Sequence, residues 1–271
     1  MGQINLLLLM LQDKVINLEE GMKTIVEIPA ASNMLFGYDI LFEFIGTAIL
    51  ILFGAGVCAN VSLKKTKGNS SGWIVITFGW GLAVFVAAFI SAPYSGAHLN
   101  PAVTLGLAMT GAFKGNFIGY VIAQMLGAIV GASLVYIMYK PHFDEEENAN
   151  TKLGVFCTGP AIKSPFSNFA SEVIGTFALI FGILMAAGAE IAGPLPVGLL
   201  IVAIGMSLGG TTGYAINPAR DLGPRIAHFL LPIKGKRDSD WGYSWIPVVA
   251  PMCGAALAAL LYIVLFPTVN N

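Results

Sequence analysis

Read for polarity alone, the chain alternates long apolar blocks with polar joints. Six blocks run over about 39–60, 72–91, 115–139, 168–189, 196–212 and 243–266. Each holds about 20 residues or slightly fewer, which at ~1.5 Å per residue is enough to cross ~30 Å of hydrocarbon. Backbone in lipid must satisfy its own hydrogen bonds, so the blocks predict transmembrane helices. Two further apolar stretches, near 101–110 and 218–230, are too short to span, and each begins at Asn-Pro-Ala. The joints are "SLKKTKGNSSG", "KPHFDEEENANTKLGVFCTGPAIKSPFSN" and "LPIKGKRDSDWG". The long middle joint divides the chain into halves.

The halves repeat. "EFIGTAILI" at 43–51 matches "EVIGTFALI" at 172–180, and "SGAHLNPAVTLG" at 95–106 matches "TGYAINPARDLG" at 212–223. "GAIVGASLVYI" at 127–137 resembles "GAALAALLYI" at 254–263. Each half therefore reads as a span with an acid, a second span, a short Asn-Pro-Ala helix and a third span. Three spans is an odd number, so the second half must sit inverted in the membrane, with its broken helix meeting the first one near the midplane. The predicted fold is an all-α membrane protein of six transmembrane helices plus two half-helices around a pore. Residues 34–271 form one channel domain, its halves at about 39–139 and 168–266. Residues 1–33 are expected to be a cytoplasmic extension, because the apolar run "INLLLLML" is too short to span.

Composition narrows the class. The chain is 56% hydrophobic and 11% charged, against about 25% charged for a soluble domain. A formal net charge of −1 gives no footprint for nucleic acid. Cys58, Cys157 and Cys253 form no CxxC or His/Cys cluster. They read as unpaired, buried small hydrophobes, with no metal or cofactor implied.

Asn and Pro are poor choices in an apolar block unless a helix starts there. Asn100 and Asn217 are N-caps, Pro101 and Pro218 take the first helical position, and Ala102 and Ala219 follow. In an inverted repeat the two helix starts face each other, and their positive dipole ends converge. The extended segments "SGAH" and "TGYA" before the caps would offer carbonyl acceptors (Gly96, Ala97, His98, Gly213 and Ala215), with the Asn amides as donors at the centre. Such a path suits water and hydroxylated solutes, while the converging helix ends oppose cations and interrupt a proton wire. Arg220 breaks a local rule, standing near the positive end of a half-helix where a cation costs ~0.3–1 kcal/mol. A misfit of this kind inside a membrane points to function. Glu43 and Glu172, at equivalent repeat positions, are the acids well inside spans.

These motifs resemble the major intrinsic protein family, the aquaporins and glycerol facilitators, over about residues 35–267. The resemblance implies a passive channel for glycerol, other small neutral solutes and water, set in the lipid bilayer of the cell membrane as a homotetramer. Asp221 and Arg225 after the second motif match the glycerol-conducting branch, and their i,i+4 spacing also suits a staple on the half-helix. By resemblance, Trp80, Gly205, Tyr214 and Arg220 form the selectivity filter, with Gly205 leaving room. Glu43 and Glu172 hold the pore-loop carbonyls inward. Tyr214 departs from the usual Phe, and its hydroxyl would make the filter corner more polar, widening the choice toward dihydroxyacetone, urea or undissociated lactic acid.

Two points pull against a single reading. The family has both termini in the cytoplasm, yet three basic residues (Lys14, Lys23, Lys114) lie on that side and nine opposite, the reverse of the positive-inside pattern. Inverted repeats with broken helices also serve secondary transporters, in which Glu43 or Glu172 would carry a proton. An enzyme is not indicated: no HExxH occurs and no paired-carboxylate arrangement supports one.

Overall fold

The computed structural model describes residues 37–186 and 193–267, so the expected extension at 1–33 lies outside the described residues. Nine helices are found among them: α1 (Tyr38–Ser62), α2 (Trp73–Ser95), α3 (Pro101–Met109), α4 (Phe117–Glu145), α5 (Ala149–Phe156), α6 (Pro165–Ala186), α7 (Pro194–Leu208), α8 (Pro218–Leu230) and α9 (Ile246–Leu265). Five of these, α1, α2, α4, α6 and α9, are long and apolar enough to cross a membrane.

The fifth expected span, 196–212, is shorter than its apolar run. Helix α7 covers 15 residues and stops at Leu208. The glycines and threonines that follow (Gly209, Gly210, Thr211, Thr212) turn the chain toward the second motif instead of extending the helix. The middle joint is not simply a connector either. Helix α4 runs on to Glu145, and Asn148 caps the extra helix α5 by accepting from the amides of Asn150 and Thr151.

Packing repeats as the sequence does. Helix α1 lies on α4 as α6 lies on α9, and each half-helix crosses to the other half, α3 against α9 and α8 against α4. Glycines set these approaches. A Cβ on Gly127 would meet the Phe44 carbonyl oxygen at 2.3 Å, and one on Gly254 would meet the Val173 oxygen at 2.5 Å. Gly81 of α2 and Gly198 of α7 face each other, each Cβ position 2.7 Å from the other's carbonyl oxygen. These are small-residue contacts, the kind that membrane helices use because lipid supplies no hydrophobic drive for helix pairing.

Candidate functional site

The two Asn-Pro-Ala segments meet at the centre of the bundle. Asn100 Oδ1 accepts from the Ala102 amide at 2.8 Å, and Asn217 Oδ1 accepts from Ala219 and Arg220 at 2.9 and 3.1 Å. That is N-capping, with Pro101 and Pro218 at the helix starts. Each Nδ2 then reaches across the repeat. Asn100 donates to the Ile216 carbonyl, Asn217 to the Leu99 carbonyl, both at 2.9 Å. An amide has two N–H groups, so each Asn keeps one donor beyond this cross-bond.

The loops before the caps are strained, and in the same way. Gly96, Ala97 and Leu99 have φ of 77°, 53° and 53°, and their counterparts Gly213, Tyr214 and Ile216 have 85°, 39° and 44°. The left-handed region costs a non-glycine residue about 1–2 kcal/mol. Two carboxylates hold it. Glu43 accepts from the amides of His98 and Leu99 at 2.9 and 2.7 Å. Glu172 accepts from Ala215 and Ile216, both at 2.9 Å. Both side chains are fully buried. Glu43 also receives Ser95 Oγ at 2.8 Å and Gln124 Nε2 at 2.7 Å. Thr104 Oγ1 takes Gln124 Nε2 and donates to the Asn100 carbonyl, so its 3.1 Å contact with His98 Nδ1 requires an Nδ1–H imidazole.

A cavity of about 280 Å³ runs along these loops. Gly96, Ala97, His98, Leu99, Tyr214, Ala215 and Ile216 line it, together with Asn100, Asn217, Trp80 and Arg220. Apolar side chains complete the lining, among them Leu50, Val84, Leu179 and Ile201. The wall thus combines polar loop groups with greasy side chains. Gly213 borders a second, more open cavity with Trp73, Gly159 and Gly210.

Around Arg220 the geometry differs from expectation in two respects. The guanidinium stacks over the Trp80 ring, 3.9 Å from its centroid, and Nη1 donates to the Phe156 carbonyl at 3.2 Å. Gly205, however, does not line the cavity; the room it leaves is taken by Tyr214, whose Cζ and hydroxyl oxygen lie 2.8 and 2.9 Å from where a Gly205 Cβ would be. The Tyr214 ring also meets Trp73 edge to face at 5.8 Å. Its hydroxyl is sealed from solvent without a hydrogen-bond partner, so it adds no polar group to the lumen. Tyr214→Phe is therefore expected to leave solute permeability ratios unchanged. It should keep or raise thermal stability, since removing an unsatisfied buried hydroxyl relieves about 1–3 kcal/mol; a shift in the ratios would mean that the hydroxyl turns toward the solute.

Behind Arg220 stands an ion pair that is 0% exposed, Asp221 with Arg225 at 2.7 Å. Arg225 also donates to the carbonyls of Thr158, Ser239 and Asp240 at 3.0, 2.7 and 3.2 Å. The other oxygen of Asp221 accepts from Thr158, amide and hydroxyl both at 2.7 Å. The pair thus ties α8 to the loop after α5, next to Phe156 at the end of that helix, and to the loop before α9. Phe156 and Thr158 were not singled out in the sequence; Phe156 acts through a backbone carbonyl, which has no sequence signature. Lys236 closes the other end of α8, its Nζ donating to the carbonyls of His228, Phe229 and Leu231 at 2.6–2.7 Å. Burial holds its pKa below the ordinary lysine value. Cys58 and Cys157 are buried, but Cys253 faces outward from α9.

The family model described as Major intrinsic protein matches residues 30–262. A probable glycerol uptake facilitator protein of Thermotoga maritima is 55% identical over 230 residues, covering 83% of this chain and 98% of its own length. The glycerol uptake facilitator protein of Bacillus subtilis is 57% identical over 225 residues, 81% of this chain and 82% of its own. Among solved structures, the X-ray structure of the aquaglyceroporin from Plasmodium falciparum superposes with a TM-score of 0.74 at 36% identity, covering 83% of this chain and 94% of that one.

Proposed function

The chain belongs to the major intrinsic protein family, and on that premise we propose that it is a passive channel for glycerol, with water and other small neutral solutes as further cargo. The observation that carries this reading is the mixed lining of the cavity, polar loop groups together with apolar side chains. A polyol has a hydroxyl edge and a carbon edge. The carbonyls and the two free Asn donors meet the first, and the leucines, valine and isoleucine meet the second. Trp80, Tyr214 and Arg220 form the constriction, with Arg220 as its donor. Gly205 contributes by seating Tyr214. Positioned lining groups of this kind, together with pore width and fixed charge, are what determine selectivity in such pores.

The proton-coupled alternative is disfavoured by the surroundings of its carriers. Glu43 and Glu172 do not line the cavity. Each spends its carboxylate oxygens on loop amides, which makes them braces. The protein works in the cell membrane as a homotetramer with one pore in each subunit, its termini in the cytoplasm.

Proteoliposome swelling against water, glycerol, dihydroxyacetone, urea and lactic acid tests the reading. Glycerol influx should exceed that of empty liposomes and should be indifferent to an ionophore that collapses the proton gradient. Uphill accumulation driven by the gradient would replace the channel with a transporter.

A further inference from the structure

We propose that Cys58 is a positioning residue for the constriction, fixing the rotational setting of the Trp80 indole. The inference rests on the channel reading above and deepens it. Trp80 is buried, and a buried indole N–H needs an acceptor. Three are conceivable beside a pore: solute, water or protein. Here Nε1 donates to Cys58 Sγ at 3.3 Å, so the tryptophan offers the lumen a ring and no donor. At the constriction, donation to the solute is thereby left to Arg220.

The rest of the surroundings explains why this bond matters. One side of the indole lies against Gly54, whose absent Cβ would sit 2.2–2.4 Å from three carbons of the six-membered ring. The Arg220 guanidinium lies over the ring at 3.9 Å. Contacts on the faces of a ring fix its plane. A full half-turn about the Cβ–Cγ bond is opposed by the seat at Gly54, which it would empty of the six-membered ring, but smaller rotations about that bond, which re-aim the N–H, are opposed less. The N–H···S contact acts on that motion. Without it the N–H is free to seek another acceptor, and a solute hydroxyl qualifies.

The test compares Cys58→Val, which removes the acceptor at similar size, with Cys58→Ser, which keeps one, each in the wild-type and Trp80→Phe backgrounds. Phenylalanine keeps an aromatic face and lacks the N–H. In liposomes of matched protein content, C58V should change the glycerol-to-water permeability ratio roughly three- to tenfold, the range one hydrogen bond allows. C58S should restore most of the wild-type ratio, and C58V should have no further effect on W80F. Ultraviolet resonance Raman of the indole N–H marker should shift in C58V and not in C58V/W80F relative to W80F. Should C58V not fold, Cys58→Ala takes its place. Wild-type ratios in the valine or alanine variant, or an equal effect in the W80F background, would overturn the proposal. If wild-type protein itself does not conduct glycerol, the channel reading fails; the Raman comparison still decides the placement of Trp80.

Discussion

Arg225→Met is expected to cost about 3–5 kcal/mol of stability, the usual consequence of removing one partner of a buried ion pair. The methionine fills a similar volume, but it leaves Asp221 charged at a site with no solvent exposure and strips donors from the carbonyls of Thr158, Ser239 and Asp240. Because those carbonyls belong to two loops on either side of α8, the damage should not stay local. Detergent-purified variant should lose a large part of its thermal margin. Arg225→Lys should recover only part, because an ammonium cannot serve acceptors in three directions as a planar fork does. Adding Asp221→Asn to Arg225→Met should recover stability relative to the single variant, since the buried charge is gone. Arg237→Met is the control: its partner Asp238 is 73% exposed, and such surface pairs are worth about 0–1 kcal/mol. Equal losses for Arg225→Met and Arg237→Met would show that the buried pair does not hold α8.

The contrast between these two arginines also shows what sequence could and could not supply. That Asp221 and Arg225 sit one turn apart on a half-helix follows from spacing, as do the repeat and the two N-caps. A cap, a proline and an apolar block are local features, and duplication makes them visible twice. The acceptors of Arg225 are not local. They are backbone carbonyls brought in from 67 residues before and 14 and 15 residues after, and any residue type could have supplied them. Helix α5 was hidden for a related reason: eight residues inside a polar joint carry too little periodicity to stand out, and its helix depends on the Asn148 cap and on burying Leu153, Val155 and Phe156. Tyr214 was placed at the constriction by resemblance, yet the direction of its hydroxyl depends on space left by Gly205 on another helix. The shortness of α7 follows from Gly209 and Gly210, which an apolar count passes over. Cys253 was read as buried from its apolar run, but in lipid an apolar run covers the outward face too.

Arg220→Val should have the largest effect on transport, because it makes the second repeat like the first, which has Val103 at the equivalent place. Three things leave with the guanidinium. The first is the donor set of the constriction, since Trp80 spends its N–H on Cys58 and the Tyr214 hydroxyl is sealed away. The second is the cation over the Trp80 face, worth about 0.5–2 kcal/mol, so the indole should become mobile. The third is the fixed charge. At an effective dielectric of 20, a cation about 5 Å from the guanidinium is repelled by roughly 3 kcal/mol, about two decades in rate. Glycerol selectivity over water and over other neutral solutes should therefore flatten, and proton or cation leak should rise by up to roughly a hundredfold. The leak should stay bounded, because Asn100 and Asn217 with their helix starts remain in the lining where the two repeats meet. Permeability ratios and a pH-sensitive dye in the same liposomes read both effects. Arg220→Lys separates them: it keeps the charge and loses the fork, so it should exclude cations while still discriminating poorly among neutral solutes. If Arg220→Val keeps wild-type ratios and no leak appears, the constriction lies elsewhere along the cavity, and the assignment of Trp80 and Arg220 falls with it.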